Sequence, residues 1–116
     1  MKNGKGKEYS VYNNKLIYEG EYLNGKRNGK GREYENNSLI FKGMFSNGKR
    51  NGKGKEYDIN DILMFEGEYL NGKRNGKGCV YHNGELLFSG EFKEDNSASL
   101  FCSTNFLECN SFTYLI

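Results

Sequence analysis

The sequence predicts an all-β fold, an elongated single-layer antiparallel meander of stacked β-hairpins. Three observations predict it. An aromatic residue followed by x-Gly recurs at near-constant spacing at Tyr18, Phe41, Phe65 and Phe88, the periodicity of a repeat array. Around each such aromatic, apolar and polar residues alternate with a period of two, which suits a strand and not a helix. Asn-Gly and Asn-Asn pairs then punctuate the chain, supplying residues that tolerate positive φ at tight turns. The composition agrees: 116 residues contain 16 Gly, 16 Asn and no Pro, and a mean hydropathy of −0.86 leaves little for a deep two-layer core.

Residues 1–92 divide into a half unit (1–17), three full units (18–40, 41–64 and 65–87) and the start of a fourth (88–92). The half unit carries Lys2 to Tyr9, KNGKGKEY, which matches the back half of a unit, Arg27 to Tyr34. The first full unit opens with Tyr18-Glu19-Gly20-Glu21-Tyr22, a strand with its rings on one face and its glutamates on the other. Asn24 to Gly29 is expected to form the bend, and the return strand runs from about Gly31 to Glu35. A second turn at Asn36-Asn37 leads into Leu39-Ile40-Phe41. The units from Phe41 and Phe65 repeat this plan, with turns at Asn60-Asp61 and Asn83-Gly84. Residues 93–116 lack the repeat and read as a tail, either a cap over the last strand, a disordered segment or the product of a truncated or misread gene end.

Glycine inside a strand normally weakens it. Its recurrence at Gly20, Gly43, Gly67 and Gly90, always between two aromatics, predicts seats over which rings lie on bare backbone. Tyr18, Tyr22, Phe41, Phe45, Phe65, Tyr69, Phe88 and Phe92 are then expected to form a ladder along one face. Cross-strand pairs of about 0.2–1 kcal/mol each hold such a ladder, and each repeat buries its face against the next.

The main charge feature is the run Lys26-Arg27-Asn28-Gly29-Lys30, repeated as Lys49, Arg50 and Lys53 and as Lys73, Arg74 and Lys77 around Asn-Gly. With strands about 4.8 Å apart, three such loops on one sheet edge make a basic ridge about 20 Å long. That ridge suits anionic phospholipid or an acidic partner at about 1 kcal/mol per basic residue near a membrane surface. The competing reading is plain solubility of the turn tips.

These motifs resemble the MORN repeat (membrane occupation and recognition nexus). Its pattern is aromatic-x-Gly-x-aromatic followed by G-K-x-x-G-x-G, in short tandem units. Tyr18 to Tyr22 and Gly25-Lys26-Arg27-Asn28-Gly29-Lys30-Gly31 match it, as do the units from Phe41 and Phe65. Two departures stand out: Tyr or Phe replaces the frequent Trp at the second aromatic, and Asn28, Asn51 and Asn75 replace the usual His. The resemblance implies an elongated twisted sheet and a role in scaffolding, self-association or phospholipid binding. It also implies that any catalysis belongs to an appended domain.

Other chemistries fit poorly. The glycine spacing around Lys26 is one residue short of a nucleotide phosphate loop, and Gly31 stands where Ser or Thr would bind magnesium. Cys79, Cys102 and Cys109, with no CxxC pair and one histidine, His82, argue against a disulfide framework or a zinc site. Cys79 and His82, three apart on a strand, point to opposite faces and make no nucleophile–base pair. A net charge of +2 is weak for nucleic acid. The expectation is therefore a protein without catalytic residues, cofactor, metal, nucleic-acid partner or small-molecule substrate. The expected partner is a protein or a second copy, and the alternative is peripheral attachment to an anionic membrane. The N-terminus lacks the apolar run of a signal peptide, so the expected location is cytoplasmic, including the periphery of membrane or cytoskeleton.

Overall fold

The computed structural model describes residues 2–94, all-β and with no helix among them. The tail expected over 93–116 lies outside the described residues from 95 onward. Eight strands run β1 (Gly4–Tyr9), β2 (Leu16–Leu23), β3 (Lys26–Glu35), β4 (Ser38–Ser46), β5 (Lys49–Tyr57), β6 (Leu63–Leu70), β7 (Lys73–His82) and β8 (Glu85–Phe92). They form one antiparallel sheet in sequence order, elongated at 45 × 27 × 25 Å. Each repeat is one hairpin, so every strand pairs only with its chain neighbours.

The hairpin bends are tighter than expected. Asn24 and Gly25 alone make the first, with φ of 52° and 78°, and Asn47-Gly48 and Asn71-Gly72 repeat it. Two positive-φ residues give the turn whose twist matches the flanking strands. Lys26 onward is already strand. Gly29, at φ 96°, does not belong to the bend but forms a bulge inside β3, where the register slips opposite Glu21. Gly52 and Gly76 repeat the bulge in β5 and β7.

The register aligns one glycine from every strand. Gly6, Gly20, Gly31, Gly43, Gly54, Gly67, Gly78 and Gly90 stand opposite one another from β1 to β8. The four glycines singled out in the sequence are thus half of an eight-membered row. The packing reason is direct. A Cβ on Gly54 would lie 2.4 Å from Phe41 Cζ, and one on Gly67 would lie 2.6 Å from the Lys77 carbonyl oxygen.

All eight predicted rings occupy one face and form an unbroken chain: Tyr22, Tyr18, Phe45, Phe41, Tyr69, Phe65, Phe92, Phe88. Successive centroids are 5.1–5.8 Å apart and the rings cross at 84–87°, the edge-to-face geometry that the ring quadrupole favours by about 0.5–1.5 kcal/mol per pair. Seven of the eight are buried, and Phe88 is half-buried. This chain is the core, and its burial removes the rings from service as an exposed binding face. Cys79 is buried on β7 and disulfide-bonded, which the odd cysteine count does not anticipate.

Candidate functional site

The nine basic residues of the predicted ridge separate into three groups. Lys26, Lys49 and Lys73 are exposed first residues of β3, β5 and β7. Arg27, Arg50 and Arg74 turn onto the aromatic face and form no ridge. Each guanidinium lies 4.1–4.3 Å from the centroid of the first ring of its own unit, Tyr18, Phe41 or Phe65, and 5.7–5.8 Å from the second ring of the next. Each also grips a glutamate of the preceding unit. Arg27 Nε and Nη2 donate to Glu8 at 2.8 and 3.1 Å, Arg50 Nε to Glu33 at 2.7 Å, and Arg74 Nε and Nη2 to Glu56 at 2.9 and 3.0 Å. The hydroxyls of Tyr22 and Tyr69 donate to the same Glu8 and Glu56.

These pairs join repeat to repeat. Hydrogen bonding to Arg27 is the main reason the Glu8 carboxyl sits below its usual range, against an opposing push from burial. At Glu56 burial is the larger influence and raises the pKa, yet Arg74, Tyr69 and Arg50 together outweigh it and the net shift is downward. Burial drives the Tyr18 phenol up to about 12. Val80 stands at the corresponding position in the third unit, and no arginine follows Arg74 in the chain. The carboxylate is present only where a following arginine needs it.

Lys30, Lys53 and Lys77 point to the other face, as alternation requires, and there the structure places its most exposed chemistry. An open groove of about 860 Å³ runs along the glycine row, with Gly6, Gly20, Gly31, Gly43, Gly54 and Gly67 as its floor. Seven basic and three acidic side chains line it, together with Met44. Lys30 and Lys53 belong to that lining, joined by five residues the sequence reading did not single out: Lys5, Lys7, Arg32, Lys42 and Lys55.

Arg32, Lys42 and Lys55 stand directly opposite one another on β3, β4 and β5. Like charges in that relation are destabilising. Elsewhere along the row opposite charges meet: Lys7 with Glu19 at 3.6 Å, and Lys55 with Glu66 at 3.8 Å. Burial depresses the Lys55 pKa and Lys42 adds to that, while Glu66 opposes it. Burial in turn raises the Glu66 carboxyl. The three-cation stripe was hidden in the sequence because its members lie far apart along the chain and differ in type. Only register brings them together.

The sequence profile of the MORN repeat matches residues 18–38, 41–61 and 65–85. The chain belongs to the MORN-repeat family. The three matched segments open on Tyr18, Phe41 and Phe65, the rings that also open each hairpin. No curated protein matches the chain. In this MORN array the asparagines that replace the usual His have a defined task. Asn3, Asn28 and Asn51 Oδ1 accept from the backbone N–H of Asn24, Asn47 and Asn71 at 2.7, 3.4 and 3.1 Å. A backbone bond from the following glycine, Gly25, Gly48 or Gly72, to the carbonyl of Lys2, Arg27 or Arg50 completes the stitch at 2.8–2.9 Å. Each turn is therefore tied to the one before it.

Proposed function

We propose that this MORN array is a non-catalytic scaffold that works through protein–protein interaction or self-association, and that its groove receives an acidic, extended protein segment. The observation that carries the reading is the Arg32–Lys42–Lys55 stripe across the groove floor. Three adjacent cations cost stability in the free protein, and an anionic partner relieves that repulsion. A trough with glycine peptides as its floor admits a main chain closely, and the cations on both sides of it meet the partner's carboxylates.

The alternative is peripheral attachment to anionic phospholipid through basic turns. Its support is reduced, because Arg27, Arg50 and Arg74 are engaged with Glu8, Glu33 and Glu56. Lys26, Lys49 and Lys73 remain at the turns to carry it. A cytoplasmic setting and the absence of cofactor, metal and nucleic-acid partners belong to the same proposal.

Two ligands and two variants separate these readings. The ligands are a labelled oligoglutamate peptide and vesicles containing phosphoinositide. The variants are Lys42→Glu in the groove and the triple change of Lys26, Lys49 and Lys73 to Ser at the turns. The expected result is salt-sensitive peptide binding that Lys42→Glu abolishes and the turn variant keeps. Vesicle binding lost only in the turn variant would favour the membrane reading. A wild-type protein that binds no acidic peptide at low salt overturns the groove reading.

A further inference from the structure

The array repeats a simple rule at its internal positions, and the rule is left incomplete at both ends of the described sheet. The first ring of an even strand lies over the glycine of the following odd strand. A Cβ on Gly31 would meet Tyr18 at 2.4 Å, one on Gly54 would meet Phe41 at 2.4 Å, and one on Gly78 would meet Phe65 at 2.6 Å. Gly6 on β1 has the same backbone position but receives no such ring. The Lys2 side chain leans into its place, 2.9 Å from the position of a Cβ. Phe88 on β8 is the converse, a first ring that is half-buried where Tyr18, Phe41 and Phe65 are completely buried. One edge of the described sheet therefore has a seat without a ring, and the other has a ring without a seat.

We infer that two copies of this chain associate head to tail, with β8 of one adding to β1 of the next. This develops the self-association part of the proposed function and makes no use of the groove. Applying the register of β2 with β3, which pairs Gly20 with Gly31, sets Gly90 opposite Gly6 of the second copy and lays Phe88 over it. The charges then agree. In β2–β3 the Glu21 carboxylate accepts the Lys30 N–H at 3.3 Å, and in β6–β7 Glu68 accepts the Lys77 N–H at 2.8 Å. Glu91 and Lys5 are the equivalent pair across the new junction, and both are exposed. Lys2, already 4.7 Å from the Tyr22 ring, takes the place that Arg27 holds between two rings. Because the surfaces differ, the contact is heterologous and continues from copy to copy instead of closing.

The test uses the full chain and three variants. Lys5→Pro removes the outward N–H of the edge strand, a position that tolerates proline. Glu91→Lys removes the acceptor and opposes Lys5. Both sites are exposed, and circular dichroism checks that each variant keeps its sheet. In sedimentation velocity, wild type is expected to rise with concentration through dimer to larger species. Each variant alone stays at the monomer mass of 13.3 kDa. An equimolar mixture forms a dimer and nothing larger, because each partner keeps one working edge. A third variant, Phe88→Trp, places the only Trp in a chain that has none, and its emission is expected to move to the blue as association proceeds. Wild type that remains monomeric throughout overturns the proposal. So does a mixture of folded variants that forms no dimer, or an emission maximum that ignores concentration. None of these outcomes bears on oligoglutamate binding, so the groove reading stands or falls separately.

Discussion

Arg74 holds Glu56 at two points, 2.9 and 3.0 Å, while its guanidinium lies 4.1 Å from the centroid of the Phe65 ring. The ring and the arginine belong to one repeat and the glutamate to the preceding one. A single side chain thus combines the ring ladder with the joint between repeats.

Breaking that joint has a definite cost. Glu56→Gln is expected to lower unfolding stability by about 1.5–3 kcal/mol, the range for hydrogen bonds to charged groups. Arg74→Lys keeps the charge but loses the two-point fit and the flat stack, so it recovers little of the joint's contribution. Urea denaturation of both variants, compared with Arg27→Lys, measures this. Equal stability of Arg74→Lys and wild type would mean that the charge alone matters.

Acid acts on two kinds of carboxyl with opposite signs. Glu8 and Glu56 have folded pKa values below 4.5. Their contribution is complete above pH 4.5 and is lost as pH falls through the folded values. Glu66 has a folded value above 4.5. It detracts from stability at neutral pH, and that penalty disappears as pH falls to 4.5. Melting curves from pH 3 to 8 should therefore show wild type failing below about pH 4.5. Glu66→Gln should exceed wild type near neutrality and converge with it in acid. A constant difference across the range would assign the effect to packing and not to ionisation.

Filling a glycine seat should be costly in proportion to what it meets. Gly67→Val sets a branched side chain against the Lys77 carbonyl and the Gly78 Cα, 2.6 and 2.7 Å from its Cβ. A loss at or beyond the upper end of about 1–3 kcal/mol is expected, since backbone cannot yield as a side chain does. Gly6→Ala, whose first contact is the flexible Lys2 side chain, should cost less. The two melting temperatures decide the comparison.

The stitched turns offer a local readout. Asn51→Ala removes the acceptor of the Asn71 N–H and should cost about 0.5–1.5 kcal/mol. Hydrogen exchange at Asn71 should accelerate while the Phe65 amide stays protected. Uniform acceleration would make the bond part of global unfolding.

Relieving the cationic stripe should stabilise the free protein. Lys42→Glu places a carboxylate between Arg32 and Lys55 and is expected to raise stability by about 0.2–1 kcal/mol. The same change removes acidic-peptide binding under the proposed function. A destabilised Lys42→Glu would deny that the stripe is a strain held for binding.

How far the sequence could be read depends on how local each signal is. The aromatic pattern from Tyr18 to Tyr22 uses the two-residue period of a strand, so its face was legible, as were the turns at Asn24-Gly25 and Asn83-Gly84. The arginines were misread because the bend and the bulge use the same chemistry. Asn24-Gly25 and Asn28-Gly29 look alike in sequence, yet only the first reverses the chain. Placing Arg27 after the turn, inside β3, sends it onto the Tyr18 ring and not into solvent.

The sequence by itself determined the repeat, the strand order and the chain of rings, because each depends on spacings within a single repeat unit. Tertiary structure alone decided what crosses between units. The grip of Arg74 on Glu56, the eight-glycine row and the Arg32–Lys42–Lys55 stripe all arise from register between strands. Register follows from the bulges at Gly29, Gly52 and Gly76 together with the turns, and a shift of one residue would send every side chain to the opposite face. In this family member the local pattern specifies the building unit, and the pairing of units specifies where charge is neutralised and where it is left for a partner.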